Sequence, residues 1–222
     1  MALILNIDSA TETASVSIAE NGNIIDQRIN PLQKEHASFL HPAVEELLQN
    51  HGILLKDIQA IAVTIGPGSY TGLRVGMASA KGFAYALGLP LITIGTLPAM
   101  ASAAIEISQS EDSLYCPLID ARRMEVYTAV YNHKLEEVIS PSAQILTAES
   151  FQEIVEKQPV YFFGSGMKKW KEIVRHNNVN FLENFNLPKA ISQLAFEKYS
   201  RKEFSHLAHT QPLYLKEFYT GD

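Results

Sequence analysis

The sequence predicts an α/β protein built from two related lobes. Strand-like and helix-like apolar segments alternate along the chain, and both halves open with an apolar strand that ends in aspartate, Asp8 or Asp120. In each half a polar turn and a second strand follow that aspartate. With 222 residues, 46% of them hydrophobic, the chain can bury a substantial core.

Leu3 to Ile7 is a continuous apolar run and reads as a buried strand. Ala14 to Ala19 alternates with the two-residue period of a second strand, Asn21-Gly22 supplies turn residues tolerant of positive φ, and Ile24 to Ile29 returns as the third. From Ala37 to His51 the residues Phe39, Leu40, Ala43, Val44, Leu47 and Leu48 recur at helical spacing, and Gly52 ends the helix. Pro42 fits this helix if it lies in the first turn, where its missing N–H has no partner to lose. Ile58 to Ile65 is a strand, Gly72 to Leu87 a helix closed by Gly88, and Leu89 to Ile94 another strand. Thr96 can cap a third helix that runs to about Ile107, with Pro98 in its first turn.

The polar stretch Ser108 to Ser113 marks a boundary between a first lobe, 1–108, and a second, 109–222, whose C-terminal segment can pack back on the first. Beyond it Leu114 to Ile119 and Glu125 to Tyr131 read as strands around Asp120-Ala121-Arg122-Arg123. Helical patterns follow at Ala148 to Lys157, Met167 to His176 and Lys189 to Lys202, with a strand at Val160 to Phe163. The similar openings suggest an internal duplication, although no residue-level repeat of fixed period is visible.

Lys and Arg total 18 against 24 Asp and Glu, a formal net charge of -6. A chain that gripped RNA by itself would ordinarily be basic, because neutralised phosphates and released counterions drive such binding, so a role on RNA implies a second subunit with most of the positive surface. Cys116, the single cysteine, excludes an internal disulfide and sits in an apolar run that reads as core. The apolar N-terminus has no basic flank and breaks at Asp8, unlike a signal peptide, and no run approaches the roughly 18 apolar residues of a membrane span. The expected location is the cytoplasm.

The segment Gly66-Pro67-Gly68-Ser69-Tyr70-Thr71-Gly72 follows a strand and opens a helix, the layout in which free N–H groups converge on phosphate. Gly66, Gly68 and Gly72 are spaced one residue too long for the dinucleotide fingerprint, and no Lys-Ser or Lys-Thr follows as in a P-loop. Ser69 does not centre a nucleophile elbow either, since Pro67 and Thr71 flank it. As a pattern the loop fits a helix cap as well as a ligand site. Gly72, Gly76, Ala80, Ala84 and Gly88 form a ridge of small residues along the helix; each interior glycine costs on the order of 1 kcal/mol, so close approach of another backbone is the natural compensation. That backbone can belong to the chain's own sheet or to another subunit.

No H-x-x-x-H or H-E-x-x-H pair exists, and Glu203, His206 and His209, spaced by three, match no metal motif. Asp8 and Asp120 can be turn formers or ligand-handling carboxylates; Arg122 and Arg123 can be hairpin-tip charges or an anion site.

Taken in order, Ile7-Asp8-Ser9-Ala10-Thr11-Glu12, Lys34-Glu35-His36, Gly66 through Gly76, Ile119-Asp120-Ala121-Arg122 with Glu125-Val126-Tyr127, and Gln211-Pro212-Leu213-Tyr214-Leu215 resemble the TsaB (YeaZ) family over nearly the whole chain. The resemblance implies an ASKHA-type fold, the two-lobed architecture of actin, sugar kinases and Hsp70, with the second lobe reduced. It implies a non-catalytic partner of TsaD in threonylcarbamoyladenosine synthesis on tRNA, with the ATPase TsaE as a third component and tRNA met through the complex. Where TsaD carries a metal-binding histidine pair, the corresponding Thr96-Leu97-Pro98-Ala99-Met100 has none. Ala10 stands where ASKHA ATPases have glycine, which argues against a retained ATP site and leaves Asp8, Ser9, Gly66, Gly68 and Ser69 as a vestigial nucleotide loop. No cofactor is expected. The family contact with TsaD through first-lobe helices makes Phe39, Leu40, Val44, Leu47, Gly72, Gly76, Ala80 and Ala84 the interface candidates, with self-association through the same helices when TsaD is absent. The competing reading is an ASKHA-type small-molecule kinase or ATPase that uses Asp8 and the glycine loop.

Overall fold

The computed structural model describes residues 2–32 and 35–216. Lys34 of the Lys34-Glu35-His36 motif lies outside the described residues. The chain divides into two compact units, one formed by Met1–Ala99 with Asn186–Leu213 and the other by Met100–Phe185 with Tyr214–Asp222. The division falls inside the third helix, and the last helix belongs to the first unit.

In the first unit the strands are β1 (Leu3–Asp8), β2 (Ala14–Glu20), β3 (Asn23–Asn30), β4 (Ala60–Gly66) and β5 (Leu91–Gly95), in the order β3-β2-β1-β4-β5. β1 pairs antiparallel with β2, β2 antiparallel with β3, and β1-β4-β5 run parallel. Asn21 (φ 49) and Gly22 (φ 81) turn the first hairpin as their residue types predict. Alternation along β1 sends Leu3, Leu5 and Ile7 into one core and Ile4 into another. The first core is closed by helices α1 (His36–His51) and α2 (Tyr70–Leu87).

Helix α3 (Thr96–Ser108) contains the division between the units. The second unit carries β6 (Leu114–Asp120), β7 (Glu125–Tyr131), β8 (Glu137–Ile145), helix α4 (Gln152–Val155), β9 (Val160–Phe163), helix α5 (Met167–Lys171) and β10 (Val179–Leu182). Its sheet runs β8-β7-β6-β9-β10, with β6-β7 and β7-β8 antiparallel and β6-β9 and β9-β10 parallel. Strand for strand this is the arrangement of the first sheet, so the likeness of the two openings extends through five strands. Helix α6 (Leu187–Ser200) returns to the first unit, where Ile191 and Ala195 complete the core on the Ile4 side of the sheet.

Several elements depart from the sequence reading. α1 begins at His36, so Pro42 lies inside the helix rather than in its first turn, and the Ser38 carbonyl loses its helical donor. α2 begins at Tyr70, two residues early, because the Ser69 side chain accepts from the Gly72 N–H and caps it. Thr96 is the first helical residue rather than the cap, and its buried hydroxyl has no partner among the described residues. The strands β8 and β10 lacked a clear apolar alternation, and the helices at 148–157 and 167–176 shorten to the single turns α4 and α5.

Candidate functional site

The apolar run of β1 carries Asp8 to the end of the strand, where the side chain is buried. Its Oδ1 accepts from the Thr64 hydroxyl at 2.6 Å and from the Ala10 N–H at 3.0 Å. Burial pushes the carboxyl above its ordinary value, opposed in turn by the Thr64 and Ala10 bonds and by nearby His36. His36, also buried, places Nε2 3.1 Å from the Thr11 carbonyl oxygen; a carbonyl only accepts, so Nε2 carries the hydrogen.

The Gly66 to Gly76 block closes over this turn. A Cβ added to Gly68 would lie 2.0 Å from the Ala10 carbonyl oxygen, one on Gly72 2.0 Å from the Ser9 carbonyl oxygen, and one on Gly76 2.3 Å from Ser9 Oγ. Ser69 N donates to Ala10 O at 2.7 Å, and Ser9 Oγ donates to the Gly72 carbonyl at 2.8 Å. These glycines therefore allow the start of α2 to dock on the backbone of the β1–β2 turn. The N–H groups of Ser69, Gly72 and Leu73 are taken by Ala10 O, Ser69 Oγ and Ser69 O. The Leu73 bond is the ordinary one along the helix, whereas Ser69 N–H and Gly72 N–H are donors that a phosphate at this loop would use, and both are engaged within the protein, so the loop is a clasp between two turns.

The small-residue ridge faces the same way, which corrects the interface assignment. Gly72, Gly76, Ala80 and Ala84 are buried on the chain's own first sheet, together with Leu40, Val44 and Leu47; only Phe39 is partly exposed. The ridge is explained by Ser9 and Val63 beneath it. The outward face of α2 is a different stripe, Thr71, Val75, Ala78, Gly82 and Tyr85, in which Tyr85 is 81% exposed and, beyond the helix's own backbone, nothing among the described residues lies within 4 Å of a Cβ on Gly82. Beside it, α1 adds His41, whose ring packs tilted against Phe83 with centroids 5.3 Å apart and meets the Ser79 hydroxyl at 3.2 Å. The alternating spacing of four and three was legible in the sequence, but its mixture of polar, small and aromatic residues hid it behind the purer glycine and alanine ridge.

In the second unit, Asp120 ends β6 as Asp8 ends β1. Its Oδ1 accepts from Arg122 N at 2.6 Å and pairs with Lys169 Nζ at 2.5 Å, while its own N–H donates to Ser165 Oγ at 3.0 Å. Gly164 (φ 98) and Gly166 pack against the Leu118 carbonyl of β6, whereas the Gly66 block packs on the turn that follows β1. Cys116 is buried and its thiol is pushed up to about 12 by burial, so it is core. The rings of His206 and His209 lie tilted with centroids 4.5 Å apart outside any helix, and Glu203 faces Arg201 instead of joining them. Among the described residues no group of three His, Cys, Asp or Glu could hold a metal.

Two sheets of identical strand order define the ASKHA-type fold. An ATP-glucomannokinase from Arthrobacter superposes with a TM-score of 0.50 at 11% identity, covering 90% of this chain and 100% of that one, which shows the shared fold. YeaZ from Pseudomonas aeruginosa superposes far better, with a TM-score of 0.78 at 27% identity over 97% of this chain and 100% of its own.

A family model described as "TsaD: tRNA N6-adenosine threonylcarbamoyltransferase" matches residues 24–216. The tRNA threonylcarbamoyladenosine biosynthesis protein TsaB of Bacillus subtilis is 33% identical over 175 residues, 77% of this chain and 74% of the relative. TsaB of Haemophilus influenzae is 32% identical over 227 residues, 96% of this chain and 93% of the relative. The chain belongs to the TsaB family of tRNA threonylcarbamoyladenosine biosynthesis proteins.

Proposed function

We propose that this chain is a non-catalytic subunit that pairs with TsaD while a threonylcarbamoyl group is transferred to N6 of the adenosine next to the tRNA anticodon. TsaE is the third component, the complex works in the cytoplasm, and the same surface pairs two copies of the chain when TsaD is absent. The observation that carries the pairing is the open stripe on α2: Ala78 and Gly82 let another helix approach closely, and Tyr85 is a large, exposed aromatic anchor. The non-catalytic role is supported by the clasp, which engages the Ser69 and Gly72 N–H groups, and by the absence of histidine from Thr96 to Met100.

The test is co-elution with TsaD. The wild-type chain should form a stable heterodimer and show no transferase activity alone; failure to co-elute overturns the reading. Gly82→Arg should abolish pairing with an unchanged circular dichroism spectrum, because open space surrounds that position.

A further inference from the structure

We infer that the β6–β7 turn is a direct contact for the phosphate backbone of the tRNA, an inference that rests on the family role proposed above. Arg122 (φ 73) and Arg123 (φ 49) are consecutive residues in the left-handed region, where glycine and asparagine are the favoured occupants. Turn geometry therefore does not call for arginine at either position.

The charges around the turn are unequal. Asp120 is held by Lys169 and Glu125 by Lys216, so both carboxylates near the tip already have a cation. Among the described residues neither the Arg122 nor the Arg123 side chain has an ion pair or hydrogen bond, and both are exposed. Exposed Lys168 adjoins Lys169 on α5. A locally cationic tip thus stands on a chain of net charge -6. Two planar guanidinium groups on consecutive exposed residues, without an ion pair among the described residues, suit phosphate oxygens. The Asp120 bond to Arg122 N and the Lys169 pair fix the base of the turn from which they project. Such a site adds a few contacts to a complex whose main positive surface lies elsewhere, in keeping with the acidity of this subunit.

The test uses the assembled complex with the double variant Arg122→Gly, Arg123→Gly, which suits the positive φ values and removes only the side chains. Binding of tRNA is measured against salt, with thermal melting as the folding control. Loss of two phosphate contacts should lower the slope of log affinity against log salt by about 2, so that wild-type affinity falls roughly tenfold more than that of the variant between about 50 and 200 mM salt. An unchanged slope and affinity overturn the inference, as does a wild-type chain that adds nothing to the tRNA affinity of TsaD. Unchanged tRNA binding with lost TsaE binding also overturns it and assigns the turn to a protein contact. Co-elution with TsaD, read separately, tests the functional reading itself.

Discussion

The first sheet is covered on its α1 side by helices of 16 and 18 residues, whereas helices α4 and α5, the counterparts in the second unit, have 4 and 5. The core changes to match. In the first unit it is aliphatic, with Leu40, Leu47, Ile61, Val63 and Met77 between sheet and helices. In the second, Phe151, Phe162, Trp170 and Phe181 form a cluster of tilted and edge-on rings with centroids 4.4 to 6.4 Å apart. One strand plan can thus be closed by long helices with small inward residues, or by short turns that deliver large aromatics.

If the aromatic cluster does what the long helices do elsewhere, Trp170→Ala is the most damaging change. Trp170 is fully buried, its Nε1 donates to the Thr147 carbonyl at 3.0 Å, and truncation should cost about 3–5 kcal/mol. Denaturant unfolding followed by circular dichroism measures it, and a loss below about 1 kcal/mol would break the comparison. Trp170 is the only tryptophan, so wild-type fluorescence follows the second unit selectively.

The glycines sharpen the contrast. Gly76→Leu forces side-chain atoms into Ser9 and should destabilise by about 3 kcal/mol or more. On the outer side of the same helix, Gly82→Ala should instead stabilise by up to about 1 kcal/mol, since it meets nothing and improves helix propensity. Equal effects in thermal melts would refute the inward orientation of the ridge. Gly166→Ala should cost less than Gly76→Leu, about 1–2 kcal/mol, because it adds a single methyl, although that methyl would meet the buried Val126 Cγ1 at 2.5 Å.

These positions also show how far the sequence could be read. The first-unit strands and helices were legible because their apolar periods are regular and Gly52 and Gly88 close the helices in left-handed conformation. The strand β8 was not, since its residues are largely exposed and Pro141 interrupts the alternation. The glycine and alanine ridge was visible as a close-packing surface, but spacing alone does not say which backbone it meets. That was decided by the β1–β2 turn, whose Ser9 and Ala10 carbonyls lie more than fifty residues away in sequence. The Arg122-Arg123 pair was visible as charge; its left-handed backbone and the pairing of Asp120 and Glu125 were not.

The smallest effects come from the two strand-end aspartates, which should respond to the same substitution with opposite signs. Among the described residues no cation is bonded to the buried Asp8, and burial raises its pKa from an ordinary 3.8. A raised carboxyl opposes folding once ionised: its penalty is absent below 3.8, grows as pH rises from 3.8 through the raised folded value, and is constant above it. Asp8→Asn retains an oxygen to accept from Thr64 and Ala10 and carries no charge to desolvate. The variant should therefore melt above wild type at neutral pH, and the difference should vanish in acid. Asp120 is partly exposed and ion-paired, so Asp120→Asn leaves Lys169 without its partner and should lower stability by about 0.5–1 kcal/mol at neutral pH. Melting curves of both variants from acid to neutral pH decide the matter. A destabilised Asp8→Asn at neutral pH would mean that the Thr64 and Ala10 bonds to the ionised carboxylate outweigh its burial, and that the two aspartates do the same work in their two units.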